Sequence, residues 1–115
     1  MVFEDIELQK EKDRAVIEAL EANGADLSKP HLIEHHFTTL SRDNGLNLLK
    51  WGTENGFDVS DISEGQWKGE CYYYFDLIKP TVPTIENIFP DTSHMLNLAA
   101  EFNCEYDGWG CQVLK

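Results

Sequence analysis

Apolar and polar residues follow two different rhythms along this chain, and the rhythms divide it into helices and strands. Over residues 4–23 the apolar positions are sparse: Ile6, Val16, Ile17 and Leu20 form one stripe on a segment rich in Glu, Lys and Ala. That pattern predicts a helix, closed by the C-cap pair Asn23-Gly24. Its first half is nearly all polar, so that half is expected to fray or project into solvent. After Pro30, "HLIEHHFTTL" has the β-branched and aromatic content and partial alternation of a strand. Ser41 or Asp43 can cap a second helix over about 42–55, with Leu46, Leu49 and Thr53 on one face and Asn55-Gly56 at its end.

"FDVSDI" reads as a short strand, "SEGQWKG" as a turn, and "ECYYYFDLIK" as the most strand-like run of all, stopped by Pro80 and Pro83. "TIENIF" is expected to form a helical turn interrupted at Pro90. Asp91, Thr92 or Ser93 then caps a third helix through Phe102, with Met95, Leu98, Ala99 and Phe102 on one face. "CEYDGWGCQVL" supplies the last strand.

The resulting order is a helix followed by β-α-β-β-α-β. The second part is the ferredoxin-like pattern, an α+β fold with a four-stranded antiparallel sheet and helices packed on one face. The chain is expected to be a single domain over 1–115, with the N-terminal helix at about 4–23 and the ferredoxin-like core at about 31–114. The first and last strands are expected to be neighbours. The face without helices is open to solvent or to a partner.

Alternation assigns side chains to faces. Ile33, His35 and Phe37 on the first strand, and Cys71, Tyr73, Phe75 and Leu77 on the third, are expected to point toward the helices. Glu34, His36, Tyr72, Tyr74 and Asp76 then point outward. On the last strand Tyr106 and Gly108 are expected inward, and Glu105, Asp107 and Trp109 outward. Glycine in a strand marks a bulge or a close approach. A glycine bulge would flip the register, and Trp109 is core if the N-terminal helix covers this patch.

Charge sharpens the picture of that open face. Nine Lys and Arg stand against 21 Asp and Glu, a formal charge of −12. Such a surface repels phosphate backbones and anionic lipid and steers toward basic partners. No apolar run reaches the ~18 residues of a membrane span. The acidic N-terminus is not a signal peptide, and the cytoplasm is the expected location. Cys71, Cys104 and Cys111 make no CxxC pair, which points to free thiols in a reducing compartment.

Candidate chemistry is sparse. His31 and His35 lie about 13 Å apart in a strand, at ~3.3 Å per residue, and His35 and His36 point to opposite faces, so no histidine pair chelates a metal alone. No nucleophile elbow, Walker loop or dinucleotide fingerprint is present. No cofactor and no catalytic activity are expected. "KGECYYYF" at 68–75 partly matches the RNA-recognition signature K/R-G-F/Y-G/A-F-V-x-F/Y, through Lys68, Gly69, Tyr72 and Phe75. Glu70 breaks the match with a charge that repels phosphate, and the overall charge has the wrong sign for RNA.

At Ile33-Glu34-His35-His36, at Phe75-Asp76-Leu77 and over Leu98 through Gly110, with "EYDGWG" as its most specific part, the chain resembles the regulator of ribonuclease activity B family. The resemblance covers nearly the whole chain. It implies a small acidic bacterial protein that inhibits endoribonuclease E, or a similar RNA-processing protein, by binding it. The chain stops at Lys115, where better-known members carry a long acidic tail, and Pro80–Pro90 is richer in proline than the family pattern. Those departures bear on the choice of partner, which resides in surfaces and tails rather than in folds. The partner-binding set expected from charge and alternation is Glu34, His36, Tyr72, Tyr74, Glu105, Asp107 and Trp109. An acidic ferredoxin-like module with another target is the alternative, and a single-stranded RNA-binding domain a more distant one.

Overall fold

The computed structural model describes residues 3–114, with side chains from residue 6. The order is α1 (Phe3–Ala22), β1 (His31–Thr39), α2 (Arg42–Glu54), β2 (Asp58–Val59), β3 (Ser63–Trp67), β4 (Glu70–Thr81), α3 (Ile85–Glu101) and β5 (Glu105–Gly110). The fold is α+β and ferredoxin-like with an added N-terminal helix. β1 lies between β4 and β5, antiparallel to both. β2 and β3 both pair with β4, at Val59↔Leu77 and at Ser63↔Tyr74. The expected second strand is β2 alone, and the segment after it adds a further strand on β4, which makes the sheet five-stranded rather than four-stranded.

The segment read as a turn is β3. Its hairpin to β4 closes over Lys68 and Gly69, both with positive φ (51° and 81°). Two such residues are the requirement of the tight hairpin turn that matches strand twist. Glycine meets it without strain; Lys68 is the uncommon occupant.

α3 differs as well. It runs unbroken from the N-cap Thr84, with Pro90 inside it. The carbonyl that Pro90 leaves without a helical partner belongs to Glu86, and both residues are exposed, so water can take that bond.

Alternation along β1 is exact in the structure: His31, Ile33, His35, Phe37 and Thr39 are buried, and the residues between them are not. The core divides in two. Phe37 and Phe75 stack with ring centroids 5.5 Å apart and pack with Leu48, Leu77, Met95 and Leu98 beneath α2 and α3. Leu20, Ile33, Ile88 and Trp109 form the second cluster, which holds α1. Each fully buried Leu, Ile or Phe contributes about 1.5–3 kcal/mol.

The polar half of α1 does not project freely. Gln9 and Asp13 lie on the same helix face as Leu20 and are buried with it. Among the described residues no helix is long and apolar enough to cross a membrane.

Candidate functional interface

The helices cover one side of the sheet, so the side chains that alternate outward form a continuous open face. β1 contributes Glu34, His36 and Thr38; β4 contributes Tyr72, Tyr74 and Asp76. Register places Thr38 opposite Tyr74 and His36 opposite Asp76. His36 Nδ1 lies 2.7 Å from Asp76 Oδ1, a pair at the centre of the face. Tyr72 and Tyr74 lie with ring centroids 5.9 Å apart. The Tyr72 ring rests over Gly65, where a Cβ would stand 2.5 Å from it. Glycine at 65 is therefore what lets this ring lie flat on β3.

A shallow depression of about 280 Å³ is lined by His36, Thr38, Tyr72, Tyr74, Asp76 and Asp107, among others. Glu105 sits opposite Thr38 and is exposed, as is Asp107. Six of the seven residues expected to bind a partner (Glu34, His36, Tyr72, Tyr74, Glu105 and Asp107) accordingly share one face. The face is acidic and aromatic.

Trp109 is the correction. The β1–β5 register shifts between His35 and Phe37, so that Tyr106 opposes Phe37 and Trp109 opposes His35. Asp107 and Gly108 together face His36, and Gly108 takes φ +95°, open to glycine and strained for other residues. This one-residue bulge turns Trp109 inward, where it is 7% exposed. Its indole N–H donates to Asp13 Oδ1 at 3.0 Å. Gly110 has a separate role, packing beneath the His36 ring.

Behind the sheet the buried polar groups are arranged for structure. Asp13 also accepts from Gln9 Nε2 and from the Thr92 hydroxyl. His35 Nδ1 lies 2.8 Å from Tyr106 Oη. Burial lowers His35 from 6.5 to about 4, helped by the nearby charges of His36 and Lys79. Burial likewise raises Tyr106, with Asp13 and Asp91 adding to it. His35 Nε2 is buried without a partner among the described residues, whereas both ring nitrogens of His31 are engaged: Nδ1 bonds the Lys29 carbonyl and Nε2 accepts from Leu114 N–H. Among the described residues no group of three or more His, Cys, Asp or Glu could hold a metal ion.

All three cysteines are free. Burial raises Cys104 and Cys111, and the bond to Glu64 raises Cys71, so none is primed as a nucleophile.

Sequence reasoning missed Trp67, 68% exposed on β3, because its segment reads as a turn. The alternation Ser63–Trp67 ahead of Lys68-Gly69 was the available signal. Asp13 was missed because its half of α1 is polar; its spacing of four from Gln9 and seven from Leu20 was the clue.

Comparison with known proteins places the chain among relatives by sequence. The family model described as "Regulator of ribonuclease activity B" matches residues 10–111. Proteins named "Regulator of ribonuclease activity B" are similar over most of their length. The one from Escherichia coli (strain K12) is 32% identical over 111 residues, covering 93% of this chain and 78% of that protein. The one from Pseudoalteromonas atlantica is 32% identical over 106 residues, 91% of each chain. The one from Shewanella amazonensis is 29% identical over 106 residues, 91% of this chain and 75% of its own.

Proposed function

The chain belongs to the regulator of ribonuclease activity B family, and we propose that it lowers the activity of endoribonuclease E by binding it through the open face of its sheet. The observation that carries this reading is the gathering of Glu34, His36, Tyr72, Tyr74, Glu105 and Asp107 on one helix-free surface. Carboxylates there steer the protein toward the basic, RNA-binding parts of a ribonuclease. The tyrosines provide rigid amphipathic contact area once the two surfaces meet. The mode is protein–protein inhibition, with no catalysis by the chain itself.

A second reading has one observation in its favour. Tyr72 and Tyr74 lie side by side on the open face of a sheet, where RNA-recognition motifs stack bases. The carboxylates around them oppose a phosphate backbone.

The test is cleavage of a fluorogenic RNA by purified endoribonuclease E with increasing amounts of this protein. The expected result is dose-dependent inhibition that Glu105→Lys with Asp107→Lys relieves. Unchanged cleavage at saturating protein overturns the reading. Tight RNA binding by the protein alone, abolished by Tyr72→Ala, selects the second one.

A further inference from the structure

At one end of the open face three chain reversals meet: the β1–α2 turn, the tip of the β3–β4 hairpin and the α3–β5 turn. Between them runs a groove of about 1210 Å³. Leu40, Trp67 and Tyr72 supply apolar and ring surface to it, and Glu70, Glu105 and Asp107 supply carboxylates. No Lys or Arg lines it, although Arg42 and Lys68 stand next in sequence to lining residues. Among the described residues none of these three carboxylates is in an ion pair.

The neighbouring hydroxyls are already engaged. Ser41 Oγ caps α2 by accepting from Asn44 N–H, and Thr39 Oγ1 accepts from Ser41 N–H. Leu40 and Trp67 are 71% and 68% exposed, large apolar surface that the fold itself leaves uncovered. The Trp67 ring also shows what it attracts: Lys68 Nζ lies 5.6 Å from its centroid without lining the groove.

We propose that this groove seats an arginine-bearing segment of the protein partner, with a guanidinium held between the Trp67 and Tyr72 rings and the carboxylates of Glu70, Glu105 and Asp107. A planar guanidinium suits both halves of the groove. It stacks on aromatic faces and forks to carboxylates, which the compact, strongly hydrated lysine ammonium does less well. The Cα stem and flanking apolar atoms of such a segment would cover Leu40. This inference rests on the reading that the open face binds endoribonuclease E, and it names the part of the face that recognises the partner's charge.

Its test uses the full chain and the blocked peptide Arg-Ala-Arg-Ala-Arg, titrated by calorimetry, alongside inhibition of endoribonuclease E. Trp67→Ala, and Glu70→Gln combined with Glu105→Gln, are each expected to weaken the peptide about tenfold or more, as truncating an interface hot spot does. Both should weaken inhibition in the same order. The substituted side chains are exposed, and a thermal melt verifies that each variant is folded. Glu18→Gln with Glu21→Gln, which removes equal charge from exposed positions of α1 that do not line the groove, should change peptide affinity by less than about twofold, since salt screens exposed charges that make no direct contact.

Equal losses in the groove and α1 variants would show diffuse charge attraction and overturn the proposal. So would a lysine peptide or spermidine that binds as tightly as the arginine peptide, or a Trp67-dependent dimer in sedimentation. Groove variants that lose the peptide but inhibit the ribonuclease as wild type does overturn it for this partner. If the wild-type chain binds the peptide in the groove but inhibits no ribonuclease, the wider reading fails alone and the arginine site stands.

Discussion

The indole N–H of Trp109 donates to Asp13 Oδ1 at 3.0 Å, joining residues 96 positions apart in the chain. Asp13 is fully buried, and it also accepts from Gln9 on its own helix and from Thr92 on α3. One carboxylate therefore ties α1 to α3 and to β5. A buried carboxylate is costly unless it is hydrogen-bonded, and here three donors engage both of its oxygens.

Removing either end of this contact is expected to destabilise the fold rather than a binding surface. Trp109→Ala should cost about 3–5 kcal/mol, the range for a large core aromatic. Asp13→Ala should cost on the order of 3 kcal/mol, because it leaves buried donors unpaired. Trp109→Phe and Asp13→Ala together should cost less than their sum, by about 0.5–3 kcal/mol. Urea denaturation of the four proteins measures this. Strict additivity would mean the two side chains do not interact.

Stability should fall in acid because of His35, whose folded value is lowered from 6.5 to about 4 by burial and by the nearby His36 and Lys79. Between those two values the unfolded chain binds a proton that the folded chain refuses. The associated stability is therefore fully present above pH 6.5 and is lost as pH drops toward 4, on the order of 3 kcal/mol in all. An NMR titration should show the His35 ring unprotonated at pH 5.5. In His35→Gln the pH slope of unfolding over this window should be shallower than in wild type.

Two glycines separate conformational from steric cost. At Gly108, with φ +95°, an added Cβ meets nothing within 4 Å. Gly108→Ala should then cost about 1–2 kcal/mol from backbone strain alone. At Gly65 a Cβ would stand 2.5 Å from the Tyr72 ring. Gly65→Ala should displace that ring, altering binding at the open face more than stability. Denaturation and binding measured on both variants check the contrast.

On the proposed function, association with endoribonuclease E should slow as salt rises, since the Debye length shrinks from about 30 Å at 0.01 M to about 8 Å at 0.15 M. Glu105→Lys with Asp107→Lys should act mainly on the on-rate. Trp109→Phe, a change in the core, should leave both rate constants near wild type as long as the protein is folded. Surface plasmon resonance at several ionic strengths reads all three. A salt-independent on-rate would remove electrostatic steering from the mechanism.

Three thiols should react with Ellman's reagent in denaturant without reductant. Cys71 on β4 and Cys104 ahead of β5 lie on opposite sides of β1. A disulfide requires Cα atoms within about 7 Å, a poor fit to that arrangement. In the folded protein Cys104, which is buried, should react slowest. A count of one would show a disulfide.

Local chemistry made much of this architecture legible from residue order alone. Alternation in "HLIEHHFTTL" assigned the faces of β1 residue by residue, and in "ECYYYFDLIK" it assigned Tyr74 through Leu77, while Cys71 and Tyr73, expected inward, are only half-buried. Ser41 or Asp43, and Asn55-Gly56, marked the ends of α2, because helix ends leave polar groups that need partners; the structure selects Ser41 as the N-cap. Those faces gathered Glu34, His36, Tyr72 and Tyr74, and alternation at the start of β5 added Glu105 and Asp107.

Tertiary structure decided the rest, in places where the local signal was weak or pointed the other way. Trp109 turns inward because one extra residue at Asp107-Gly108 inverts every face after it, and a register shift depends on the partner strand. Asp13 is buried because two distant elements bring Thr92 and Trp109 to it, which no helical periodicity encodes. β3 exists because β4 is long enough to pair with it beyond β2, and that pairing carries Trp67 to the rim of the groove. Periodicity reports which side of an element is apolar; which residues meet across the core depends on packing between elements that are far apart in the chain.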